Sequence, residues 1–238
     1  MQQPNSVLRI GAWLMLFARG ATWIGLLAYF ALFAGASRGL SVLVADPALA
    51  YRIAGPFTFL AASLLQYALW ALIALFLARA LGGEMSSGTA AGLWAALALA
   101  YFVFGIVPPG LAQEFIGRAL EGDLQMALPA ATGLNLFWSS LFFPLLVWMA
   151  AAGHSGRTIG FKAIFGYLTG PGFGLWGLYI VLLLASLLLD LAVNRVLGGE
   201  ATVAFGLLLQ QAVAALRTLG TVLFAISAYR EVAAASEG

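Results

Sequence analysis

The chain contains no cysteine among its 238 residues. Disulfides, thiolate metal centres, iron–sulfur clusters and cysteine nucleophiles are therefore excluded together. It has a single histidine, His154, so no site that needs two imidazoles forms within one chain. Its single lysine, Lys162, lies in a polar loop between apolar runs, away from the helix interior where a retinal Schiff base would form. Charge is scarce: 8% of residues, where a soluble protein carries about 25%. A chain this size without more polar surface cannot cover itself as a soluble domain, and it has none of the composition of a disordered segment or a coiled coil. The pI of 9.2 comes from 11 basic against 9 acidic residues with no basic stripe, which excludes nucleic acid as a partner.

Apolar residues are what the chain has in abundance. They make up 63% of it, and the mean hydropathy is +1.00. A membrane-crossing helix needs about 20 mostly apolar residues. Six such runs stand out: 21–36, 57–78, 89–107, 131–151, 173–193 and 202–228. The apolar stretch from Ile10 to Ala18 leads into the first. The breaks have local causes. Pro108-Pro109-Gly110 cannot continue a helix, and Gly82-Gly83 and Gly198-Gly199 end the second and fifth runs. Gly170-Pro171-Gly172 opens the fifth, and Pro144 kinks the fourth by removing a backbone donor. The reading is an all-α polytopic integral membrane bundle of about six transmembrane helices in a single domain over 1–238.

Basic residues set the orientation. With the N-terminus in the cytoplasm, the inner face holds Arg9, Arg19, Arg79, Arg157, Lys162, Arg217 and Arg230, and the outer face Arg38, Arg52, Arg118 and Arg195. This bias predicts a multi-pass protein of the inner (cytoplasmic) cell membrane with both termini on the cytoplasmic side. Ala34-Gly35-Ala36 has the form of a signal-peptide cleavage site, but Arg19 interrupts the apolar run before it, so cleavage is not expected. Two connecting segments read as surface helices steering the chain between spans. Leu111, Phe115, Ile116 and Leu120 recur at helical spacing against Glu114, Arg118 and Glu121. Ile159, Phe161, Ile164 and Phe165 accompany Arg157 and Lys162 before the fifth run.

Residues 55–84 and 170–200 share a pattern. Both begin Gly-Pro, and both end in Arg, a small residue and Leu-Gly-Gly-Glu. An offset of about half the chain would give two inverted three-helix halves, an arrangement found in secondary transporters. Leucine- and alanine-rich helices also come to resemble one another through composition alone.

Polar residues within spans are functional candidates. The set is Gln66, Asn135, Ser186, Asp190, Asn194, Gln210 and Arg217, lying on stripes at helical spacing with Ser63, Tyr67, Ser139, Tyr179 and Thr221. Such stripes bond helices together or line a cavity. Asp190 and Arg217 fall near opposite faces of the bilayer by helical rise, so Arg217 is expected to snorkel to the cytoplasmic surface. Gly88 with Gly92, and Gly166 with Gly170 and Gly174, have the spacing of close helix packing.

Known intramembrane chemistries do not fit. Gly153-His154-Ser155-Gly156 has the serine pattern of a rhomboid protease, yet the only histidine is its sequence neighbour. Asp190 is the one span aspartate, where an aspartyl protease needs two. No phosphate loop is present, and Glu114, Glu121 and Asp123 read as a solvated face.

Pro144-Leu145-Leu146-Val147, a polar loop, and Lys162-Ala163 leading through Leu168-Thr169-Gly170 into Phe173 and Leu175 form one recognisable stretch. Ala228-Tyr229-Arg230-Glu231 after the last run is another. Together, over residues 140–231, they resemble the six-helix membrane domain that some bacteria fuse to glycerophosphodiester phosphodiesterases, and its uncharacterised stand-alone relatives. The fused catalytic domain is a soluble barrel with carboxylate metal ligands, and nothing in this chain matches it. The resemblance implies a non-catalytic helical module. Two functions follow from the sequence as expectations. The first is an accessory or assembly subunit, needing no cofactor, that packs in the lipid bilayer against another membrane protein or itself. The second is a small transporter with a polar site between inverted halves.

Overall fold

The computed structural model describes residues 6–45, 76, 77, 80, 81, 99, 103, 124–151, 159–197 and 203–237. Among them there is no strand. The continuous segments form α1 (Ser6–Phe17), α2 (Gly20–Ala45), α3 (Leu124–Leu141), α4 (Phe143–Ala151), α5 (Phe161–Thr169), α6 (Phe173–Leu197) and α7 (Val203–Glu237). Within α6, Phe173–Val193 is long and apolar enough to cross a membrane. This is the fifth run of the sequence, and α6 ends at Leu197, immediately before Gly198-Gly199. α1 and the first part of α2 pass the same test together, as a pair bent by 68°.

The remaining runs fare differently. The first, 21–36, lies within the longer α2. The second and third, and the amphipathic stretch 111–121, lie outside the described residues apart from single positions. The fourth, 131–151, is divided between α3 and α4. The sixth, in α7, continues past Ala228 to Glu237. The sequence reading stopped where hydropathy fell, but the Ala-rich tail is made of good helix formers and Glu231 is tied down by a partner. Lys162 also corrects the sequence reading. It is exposed on a helix, α5, which agrees with the surface helix read over Ile159–Phe165 and not with a loop position for Lys162.

Both breaks are braced by side-chain donors to backbone carbonyls. At the end of α1 the backbone supplies Arg19 N–H to Leu16 O at 3.2 Å, and two side chains of α2 add to it. The Thr22 hydroxyl donates to Leu16 O at 2.7 Å and the Trp23 indole N–H to Phe17 O at 2.8 Å. At the α3/α4 break, Pro144 sits in the first turn of α4, where a missing N–H is tolerated. An unbroken helix would bond residue 144 to Ser140 O, and proline cannot do so. The Trp176 indole of α6 donates to that carbonyl at 2.9 Å instead.

The C-terminal half of α7 is the centre of the core. Ala215, Leu219, Val222, Leu223, Phe224, Ala225, Ile226, Ala228, Tyr229 and Val232 are all buried, and over Val222–Ile226 the helix is enclosed on every side. α4, α6, α2 and α1 pack around it. The Phe143 and Tyr179 rings stack with centroids 4.6 Å apart, Phe143 lies 5.7 Å from Phe224, and Trp13 meets Phe224 edge-on at 6.0 Å.

α1 and α6 carry large apolar side chains on their exposed surfaces. On α1 the one charge, Arg9, is buried, while Val7, Leu8, Leu14 and Met15 are exposed. On α6, Phe173, Ile180, Val181, Leu184, Leu188 and Leu191 are exposed.

An interhelical polar cluster as candidate functional site

Arg9 is the only charged residue in the apolar first helix. Burying a guanidinium alone is costly, so it must be paired and its donors met. Its partner is Glu231, 222 residues further along the chain. Arg9 Nε donates to Oε2 at 3.0 Å and Nη2 to Oε1 at 2.6 Å, which is the two-pronged geometry that suits a carboxylate. The arginine side chain is 5% exposed and the glutamate 15%. The Tyr167 hydroxyl of α5 donates to the same Oε1 at 3.0 Å. One carboxylate thus ties three helices: α1, α5 and α7.

Two glycines make room for this cluster. A Cβ on Gly174, in the first turn of α6, would overlap Arg9 Nη1. The glycine stripe at 166, 170 and 174 therefore serves a guanidinium at its last position. A Cβ on Gly172 would lie 2.5 Å from the Tyr167 ring. Gly172 N–H and Gly170 N–H both donate to Tyr167 O, at 2.7 and 3.1 Å, and this turn sets the tyrosine against α6. Burial pushes the Tyr167 phenol up to about 12, and the neighbouring Glu231 carboxylate adds to the shift. Next to Glu231, the Arg230 guanidinium donates to Leu81 O at 2.5 Å. That carbonyl directly precedes Gly82-Gly83, where the sequence expects the second run to end.

Of the sequence-derived candidates, only Ser186 and Arg217 have described side chains. Gln66 lies outside the described residues. Asn135 falls on α3, Asp190 and Asn194 on α6, and Gln210 on α7, with side chains outside what is described. The Ser186 hydroxyl donates to Leu182 O of its own helix at 2.8 Å. Arg217 is exposed on α7, and its carbonyl accepts from Thr221 Oγ1 at 2.7 Å. Between α2 and α7, the crevice lined by Leu26, Tyr29, Ala215, Thr218, Leu219 and Val222 is too narrow for a water molecule. Among the described residues no three metal-ligating side chains converge.

Sequence reading used Arg9 only to count charge on the cytoplasmic side and Glu231 as part of the Ala228–Glu231 motif, and it did not use Tyr167. The signal that could have found them is scarcity. A lone arginine in an apolar helix needs an acid, and few acids share its predicted face. Chemically, the cluster orients helices. Both carboxylate oxygens already accept from Arg9, and Oε1 from Tyr167 as well. No family model, curated protein or solved structure matches this chain.

Proposed function

We propose that the chain is a six-span, non-catalytic protein of the inner cell membrane with both termini cytoplasmic. It acts as an accessory or assembly subunit that packs against another membrane protein or a second copy of itself. The observation that carries this reading is the reversed polarity of α1 and α6: apolar side chains outward, the only α1 charge inward. Such a surface suits lipid tails and apolar helices of other proteins. The bonding of Arg9 to Glu231 supports a common face for the two chain ends. Thr22, Trp23, Trp176 and the Arg9–Glu231–Tyr167 cluster bond between helices, and the resemblance of 140–231 to a non-catalytic six-helix domain points the same way.

Purification from native membranes in a mild detergent, followed by mass spectrometry, tests the reading. A stoichiometric protein partner, or a stable homo-oligomer, is the expected result. A monomer that carries a bound small molecule, with flux lost on Asp190→Asn or Gln210→Ala at unchanged expression, would overturn it in favour of transport.

A further inference from the structure

α6 fixes the depth of the helix before it. Phe173–Val193 is long and apolar enough to cross a membrane, and only Gly170-Pro171-Gly172 separates it from α5. α5 therefore lies at one edge of the bilayer. Its nine residues rise about 13 Å, less than half the hydrocarbon thickness, so it does not cross. It is held in place from two sides. Ile164 and Leu168 are fully buried in the core, and the Tyr167 hydroxyl bonds Glu231 of α7. The rest of α5 divides by helical spacing into two further surfaces. Phe161 and Phe165, one turn apart, form a flank and are 39% and 44% exposed. Lys162, Gly166 and Thr169 form the outward edge, and all three are exposed. The phenylalanine flank continues onto neighbouring helices. Trp148 of α4, Phe161, Phe165 and Trp176 of α6 make one row, with successive ring centroids 6.0, 6.1 and 6.4 Å apart.

We propose that α5 is an interfacial shelf that binds an anionic phospholipid, with acyl chains against the aromatic row and the headgroup phosphate at Lys162. The proposal rests on the reading of α6 as a span. A helix packed only on protein needs one buried face. α5 has three surfaces of different character, and the edge of a bilayer supplies the other two media: hydrocarbon for the phenylalanines and headgroups for the outward edge. Aromatic side chains gather at this depth in membrane proteins. Lys162 is the only lysine of the chain, and it adjoins Phe161 in sequence. Among the described residues no carboxylate pairs with it. Its long stem can lie along the shelf and carry the ammonium to a phosphate. The Thr169 hydroxyl donates to the Phe165 carbonyl of its own helix at 2.8 Å, which leaves the ammonium as the group that selects an anionic lipid.

Because the chain has no cysteine, one fluorophore can be placed at a time. Phe165→Cys carries a small bimane label on the shelf, and Phe161→Cys is a second shelf position. Leu184→Cys, exposed midway along α6, is the reference for spanning. The full chain is reconstituted in vesicles of equimolar phosphatidylcholine and phosphatidylglycerol, with one lipid or the other brominated on its acyl chains. Bromines near the glycerol end probe the shelf, and bromines near the methyl end probe position 184. The expected result is quenching at 161 and 165 that favours brominated phosphatidylglycerol by about fivefold, the effect of one basic residue at an anionic surface. Lys162→Gln removes the preference and Lys162→Arg keeps it. Shelf labels quenched by aqueous iodide and by neither lipid, while 184 is quenched from the bilayer, would overturn the shelf alone. A label at 184 that also escapes the bilayer would overturn the spanning reading and the shelf with it. Equal quenching by the two lipids before Lys162 is changed, or a preference that survives Lys162→Gln, would overturn the assignment of the headgroup to Lys162.

Discussion

Replacing Trp176 with Phe removes one hydrogen-bond donor and keeps most of an aromatic ring. The donor it removes serves the Ser140 carbonyl, 2.9 Å away, in a residue only 8% exposed. Ser140 O lacks its usual backbone partner because residue 144 is proline. Leaving a buried carbonyl unmet costs about 1–3 kcal/mol, and the smaller ring adds a packing loss. The bond term can be isolated. Pro144→Ala gives residue 144 an N–H that can reach the same carbonyl, so the carbonyl then has two possible donors. Trp176→Phe should therefore cost about 1–3 kcal/mol more in the parent than in the Pro144→Ala background. Reversible unfolding in mixed micelles, followed by circular dichroism, measures all four corners of the cycle. An identical loss in both backgrounds would refute the substitution of indole for backbone and leave Trp176 as a packing residue only.

Other substitutions give further tests. Thr22→Val keeps the shape but removes the hydroxyl on Leu16 O, and should cost about 1 kcal/mol in the same unfolding assay because the site is fully buried. Gly174→Ala should destabilise, by about 1–3 kcal/mol, because the new methyl meets Arg9. Gly177→Ala, with open space around it, should be neutral or favourable, and equal costs at both positions would contradict the steric account. Tyr167 should ionise near pH 12, where a free tyrosine does so near 10, and the phenolate absorbance lost on Tyr167→Phe measures this. Its folded value is raised, so its contribution to stability is complete below pH 10 and fades as pH rises through 12. Tyr167→Phe should lack that alkaline component.

Much of the helical organisation is legible in composition and punctuation. α6 begins after Gly170-Pro171-Gly172 and ends before Gly198-Gly199, as glycine and proline require. The Pro144 break is legible too, though not its consequence. Nothing local to Pro144 says that an indole from the helix after next would take the place of the lost donor. The α1/α2 joint is half legible: Arg19 marks it, while the carbonyl caps depend on Thr22 and Trp23 turning back. The polar cluster escapes a residue-by-residue reading because its members are at positions 9, 167 and 231, and only the packed bundle brings them together. Periodicity along single helices found stripes such as Ser186 with its neighbours. It could not tell that the Ser186 hydroxyl bonds within its own helix.

The reversed polarity of α1 and α6 changes which substitutions the protein can absorb. In a soluble protein the outside accepts almost any polar residue and the centre accepts few changes. Here an outward leucine such as Leu188 can become isoleucine, valine or phenylalanine at little cost, whereas lysine or aspartate there is disruptive. At the Arg9–Glu231 pair, and at Gly174, which is exposed but abuts the guanidinium, even a change of one methyl or one charge is felt. Random mutagenesis should thus yield an outer surface variable in sequence but uniform in character, wrapped around a small set of positions that admit one residue each.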